Sequence, residues 1–109
     1  MVCSSTGVYL IQLLLPLYDN DKQPFERAAF DRVRNEMAER FGGVTAFRRS
    51  PAEGLWKESE GEISRDELVT FEVMAEHLDR KWWEQYRREL EKRFRQEEVL
   101  IRALSVEQL

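Results

Sequence analysis

Phe30-Asp31-Arg32-Val33-Arg34-Asn35-Glu36-Met37-Ala38-Glu39-Arg40-Phe41 spaces four large apolar residues by three, four and four positions. That spacing gathers Phe30, Val33, Met37 and Phe41 on one face of an α-helix. The same intervals recur 53 positions later in Trp83, Tyr86, Leu90 and Phe94. Charges overlay at the same offset: Asp31 falls on Glu84, Arg34 on Arg87, Glu36 on Glu89 and Arg40 on Arg93. Two helices covering one sheet each need such a stripe, whether or not they arose by duplication.

Each stripe is flanked by β-like runs. Val8 to Leu15 is nearly continuous apolar sequence, as in a central strand, with Gln12 on the same face as Leu10 and Leu14. Pro24 suits the first turn of a helix, where its missing N–H costs nothing, and Gly42-Gly43 suits the helix end. Val44 to Arg49 reads as a second strand. Residues 51–62, with Pro51 and the turn Ser59-Glu60-Gly61, read as a projecting hairpin arm carrying Trp56.

Leu68 to Met74 alternates, with Val69, Phe71 and Val73 on one face and Thr70, Glu72 and Met74 on the other. Asp79 is the expected N-cap of the second helix, with Leu78 and Trp83 placed as a hydrophobic staple. That helix offers Glu84–Arg88, Glu89–Arg93 and Glu91–Arg95 pairs, each worth about 0.3 kcal/mol. Trp82 lies off the stripe, flanking the helix–sheet seam or touching Ala29. Val99 to Leu104 completes the order βαββαβ.

The 109 residues fit one domain, with residues 1–6 read as a flexible terminus. A net charge of −4 argues against sequence-independent nucleic-acid binding, which needs clustered Lys and Arg. Cys3 and His77 are the only Cys and His, short of the roughly four ligands of structural zinc, so no metal is expected. The apolar run Val8–Tyr18 lacks a preceding basic residue and a cleavage site, and at roughly 11 residues it falls short of the about 20 that span a bilayer. No membrane partner and a cytoplasmic location follow as expectations.

The order βαββαβ resembles the ferredoxin-like fold: an α+β domain with a four-stranded antiparallel sheet and two helices on one face. More narrowly it resembles the dimeric α/β-barrel group, including small bacterial proteins of unknown function. Phe41-Gly42-Gly43-Val44, Gly54-Leu55-Trp56 and Arg93-Phe94-Arg95-Gln96-Glu97 carry that resemblance. It implies that two sheets pack through their uncovered faces, and that a small organic ligand can lie beside each sheet. The uncovered face would show Leu10, Gln12, Leu14, Thr70, Glu72 and Met74, too apolar to leave in water, so a homodimer is expected. Gln12 and Glu72 are placed to bond each other or a ligand.

The chemistry-bearing residues are few. His77 is the one histidine, the residue type used most often as a general base, but it sits before the second helix with no nucleophile placed beside it by any motif, so a surface role outweighs that of general base. Arg48 and Arg49 adjoin on a strand and point apart, so only one could clamp an anion. Trp56 on the arm contacts a partner, folds back on its own domain, or stacks on a ligand. Tyr18 stands in a first βα loop about five residues longer than its counterpart, and longer loops often carry function. Cys3, in a mobile terminus, lacks the surroundings that lower a thiol pKa. The RNA-recognition version of this fold needs aromatics on the open face, where this chain has Thr70 and Glu72.

The sequence therefore points to a homodimeric small-ligand-binding or interaction domain with no identifiable catalytic motif and no implied cofactor. The alternative is a cofactor-free oxygenase or isomerase of the dimeric α/β-barrel type acting on a small hydrophobic substrate. Tyr18, Arg48, Trp56, Glu72 and His77 are the ligand-binding candidates. Leu10, Gln12, Leu14, Thr70 and Met74 are the dimer-interface candidates.

Overall fold

A computed structural model of the chain describes residues 8–49 and 67–109, with residues 47–49 described by backbone alone. Its elements are β1 (Val8–Pro16), α1 (Arg27–Phe41), β2 (Thr45–Arg49), β3 (Leu68–Ala75), α2 (Arg80–Arg93) and β4 (Leu100–Val106). The strands lie in the order β2-β3-β1-β4, and every neighbouring pair is antiparallel. This is the ferredoxin-like arrangement. The central pair runs in register from Tyr9↔Ala75 to Pro16↔Leu68.

The alternation expected of β1 and β3 is present. Ile11, Leu13 and Leu15 of β1 and Val69, Phe71 and Val73 of β3 are buried beneath the helices. From above, the two stripes supply Val33, Met37, Leu90 and Phe94, all without solvent exposure. Burying side chains of this size contributes roughly 1.5–3 kcal/mol each, so this layer holds the helices to the sheet.

The stripes meet head to tail. Phe30, first in its stripe, packs on Phe94, last in the other, with ring centroids 5.3 Å apart. Trp83, first in the second stripe, stacks on Phe41, last in the first, at 5.4 Å. Antiparallel β1 and β3 feed antiparallel helices, and the pseudo-twofold relation of the sequence repeat follows from that.

Several local expectations differ from what the chain adopts. α1 begins at Arg27 and not at Pro24, because Pro24 forms a β-bridge with Tyr18. The Phe25 N–H donates to the Leu17 carbonyl at 2.9 Å, and the Phe25 ring lies against Phe30 and Phe94. Tertiary packing of Phe25 outweighs the N1 preference of proline. Trp82 packs on Phe41 and Tyr86 beneath the Arg40 guanidinium, at the opposite end of α1 from Ala29.

The Glu91–Arg95 pair does not form. Arg95 leaves the helix with φ 50°, and its side chain reaches Asp19 at 3.4 Å. Glu91 instead accepts from Arg87 at 2.8 Å and from the Val99 N–H at 3.1 Å. Val99 therefore anchors the start of β4 to α2 and is not its first paired residue. The other two pairs, Glu84–Arg88 and Glu89–Arg93, are present. So are the Asp79 cap, which accepts from the Trp82 N–H, and the left-handed Gly42 cap at φ 82°.

Candidate functional site

Directly opposed residues of antiparallel strands share a face, so the register fixes what the uncovered side of the sheet displays. Its middle rung is polar: Thr45, Glu72, Gln12 and Arg102 lie in line across β2, β3, β1 and β4. Gln12 Nε2 donates to Glu72 Oε2 at 2.7 Å, and Arg102 Nε donates to Gln12 Oε1 at 2.7 Å. A carboxylate only accepts and a guanidinium only donates, so the amide of Gln12 has one satisfying orientation.

Apolar rungs flank this row. On one side Leu14 stands between Thr70 and Leu100; on the other Leu10 stands between Met74 and Leu104. Met74, Leu100 and Leu104 are 42%, 48% and 43% exposed, and among the described residues nothing covers them. Thr70 is different: at 4% exposure it is already buried within one chain and offers little surface to a partner.

The ligand-binding candidates are not brought together. Tyr18 follows the end of β1 that pairs with Leu68, whereas His77 follows the end of β3 that pairs with Tyr9. Seven residues of paired strand separate those ends, roughly 23 Å at about 3.3 Å per residue. Arg48 stands opposite Val69, towards the Tyr18 end. Glu72 is in the polar rung and borders a hollow of about 340 Å³ beside Gly42 and Gly43. His77 is exposed. Trp56, the 51–62 arm, Cys3 and residues 1–6 lie outside the described residues.

The long first loop closes on itself. Asp19 Oδ1 accepts from the N–H groups of Asp21 and Gln23, and the Asp19 N–H donates to the Gln23 carbonyl. Lys22 takes the left-handed conformation at φ 63° to complete the turn. The five extra residues thus form a compact turn tied to Arg95.

Two further features carry polar chemistry. Between α2 and β4 the helix side of the sheet is not filled. A groove of about 250 Å³ runs there, floored by Ile11, Trp83, Ile101 and Ala103 and rimmed by Leu78, Arg80, Glu84, Arg87 and Arg102. Two arginines of α2, Arg80 and Arg87, stand with Glu84 at this rim, although the whole chain is acidic; the Arg102 side chain lies on the other face of the sheet with Gln12. The Arg87–Glu91–Val99 link closes one end. Glu91 is held below the usual carboxylate range, by the Val99 N–H first and by Arg87 against the opposing effect of burial.

On the outer seam of the helices, Glu36 accepts both terminal nitrogens of Arg93 at 2.9 Å and the Tyr86 hydroxyl at 2.7 Å. Burial pushes the Glu36 carboxyl up, but the bonds from Arg93 and Tyr86 outweigh it and the net shift is downward. Burial, and then Glu36, holds the Tyr86 phenol above its ordinary range. Every polar group of this cluster is committed to another, which marks it as a clamp between helices.

Sequence reasoning missed Arg102, the α2–β4 groove and the Glu36–Arg93 clamp. For Arg102 a signal existed: Leu100, Arg102 and Leu104 alternate in the last strand as Leu10, Gln12 and Leu14 do in the first. No group of three or more His, Cys, Asp or Glu is placed to hold a metal ion among the described residues. No helix among them is long and apolar enough to cross a membrane.

No protein-family model matches the chain, and no curated protein matches it. A solved structure, a phage SAM lyase in complex with S-methyl-5′-thioadenosine, is similar in fold. Its TM-score is 0.57 at 17% sequence identity, over 96% of this chain and 86% of that one. Likeness at this identity establishes the fold alone.

Proposed function

We propose that the chain is a homodimeric small-ligand-binding domain whose two copies pack through the open face of the sheet. The observation that carries this reading is the exposed apolar pair of rungs around Gln12. Five large apolar residues, Leu10, Leu14, Met74, Leu100 and Leu104, form one patch with a single polar row through it. Contiguous apolar surface of this kind marks an interaction site.

The ligand's place is the groove between α2 and β4. Its apolar floor and arginine rim suit a small apolar molecule with one anionic group. Arg80 has no carboxylate partner among the described residues, whereas Arg87 is engaged with Glu91. A second reading is a cofactor-free enzyme acting on a small hydrophobic substrate, for which the shared fold of the SAM lyase is the support. SAM, although polar, is the first substrate to assay because the neighbour of shared fold is a SAM lyase.

Light scattering coupled to gel filtration tests the dimer. The expected mass is twice 13.0 kDa, and a clean monomer at micromolar concentration overturns the reading. For the groove, 4-phenylbutanoate should raise the melting temperature and perturb Trp83 fluorescence, while the corresponding alcohol should not. Equal behaviour of acid and alcohol removes the arginine rim from the argument.

A further inference from the structure

The polar rung is not only a break in an apolar face; it has a direction. Across three strands it runs anion, amide, cation: Glu72 on β3, Gln12 on β1, Arg102 on β4. Each charged end has spare capacity. Glu72 uses Oε2 for Gln12, and Arg102 uses Nε, leaving Glu72 Oε1 and both terminal nitrogens of Arg102 unpartnered among the described residues. Glu72 and Arg102 stand two strand spacings apart, about 9.6 Å, with Gln12 midway.

A second copy laid face to face can keep polar rung on polar rung in two ways. With the twofold axis along the rung, each Glu72 meets the partner's Glu72 and each Arg102 meets the partner's Arg102. With the axis along the strands at β1, the row is reversed, and each Glu72 meets the partner's Arg102. Apolar rungs then lie on their own counterparts, and sheets about 10 Å apart leave room for a glutamate and an arginine to bridge the gap. The first arrangement buries two like-charged pairs; the second buries two opposite ones.

We infer that the open face is self-complementary for a second copy of this chain whose twofold axis runs along β1, with the Glu72–Gln12–Arg102 row setting that orientation through two Glu72–Arg102 pairs between copies. The inference rests on the homodimer reading and adds to it the geometry of the partner. An isologous interface forms each such contact twice, so a single substitution acts twice.

Charge reversal with mixing tests it in the full chain. Glu72→Arg places two guanidiniums in every rung, and Arg102→Glu places two carboxylates. Each variant alone should raise the dimer dissociation constant at least roughly tenfold. Mixed in equal amounts, the two should form heterodimers in preference to either homodimer, read by native mass spectrometry. Restoration by mixing also shows that both variants fold.

The neutral variants Glu72→Gln and Arg102→Gln decide the orientation. Each should weaken the dimer if opposite charges meet, and tighten it if like charges meet, which would overturn the inferred axis. A wild-type dimer indifferent to all four substitutions overturns the inference and leaves the homodimer standing. A wild-type monomer overturns both.

Discussion

Glu36 of α1 and Arg93 of α2, 57 positions apart in sequence, are joined by two parallel N–H···O bonds of 2.9 Å. This fork is the one ionic clamp that crosses between the helices, among the described residues, and Tyr86 donates to the same carboxylate. Arg93 also holds Glu89 on its own helix, and its side chain is only 14% exposed. Glu36→Gln should therefore destabilise the fold by about 2 kcal/mol, because the new NH₂ meets a guanidinium that can only donate. Glu89→Gln, at the exposed end of the same arginine, should cost no more than about 0.5 kcal/mol. Urea unfolding of both variants checks this, and equal losses would mean that the fork between helices carries no special weight.

The same carboxylate gives the fold an acid limb. Its native pKa is lowered from an ordinary value near 4.5. A depressed carboxylate stabilises the folded state above the unfolded pKa, and that contribution is lost as pH falls through the folded value. The stability difference between wild type and Glu36→Gln should be full at pH 7, begin to shrink below about pH 4.5, where the unfolded chain takes up the proton first, and be lost once the folded carboxyl is protonated as well and resembles glutamine. Denaturant melts between pH 7 and pH 3 measure it. Parallel curves would show that the pairing in the folded state does not shift Glu36.

Much of the scaffold was legible because it rests on periodicity. The interval shared by Phe30–Phe41 and Trp83–Phe94 requires two like-faced helices, and the alternation in β3 puts Phe71 inwards and Glu72 outwards. Asp79 and Gly42 were legible because a cap is a local geometry that few residues satisfy. Pro24 was misleading for the opposite reason: a local preference yielded to Phe25, whose place between Phe30 and Phe94 depends on the distant end of α2. The groove between α2 and β4 was not legible, since a gap is a failure of two elements to meet. Glu36 and Arg93 were visible only separately, Glu36 as the residue overlaid on Glu89 and Arg93 as the expected partner of Glu89. Which glutamate Arg93 would reach depended on how the helices cross.

Both helix caps should be worth measurable stability, for different reasons. Asp79→Ala removes the acceptor for the Trp82 N–H and should cost about 1 kcal/mol. Gly42→Ala adds a Cβ that meets nothing within 4 Å, so any loss reports the backbone conformation alone. At φ 82° that penalty should be about 1 kcal/mol. Thermal unfolding of the two variants tests the pair. A Gly42→Ala protein as stable as wild type would show that the end of α1 relaxes out of the left-handed region at no cost.

Leu100 and Leu104 separate the stability of one chain from that of the proposed pair. Both are nearly half exposed in a single copy, so lysine at either position should change the unfolding free energy of the monomer by less than about 0.5 kcal/mol. In the dimer Leu100→Lys would bring a charge into the apolar rung on one side of the polar row, and Leu104→Lys into the rung on the other side. Binding to a partner stabilises the folded state by mass action, so the melting temperature of the wild type should rise with protein concentration. Leu100→Lys and Leu104→Lys should melt like the wild type at the lowest concentration and stay flat as it increases. A concentration dependence retained by both variants would place the contact between copies on another surface.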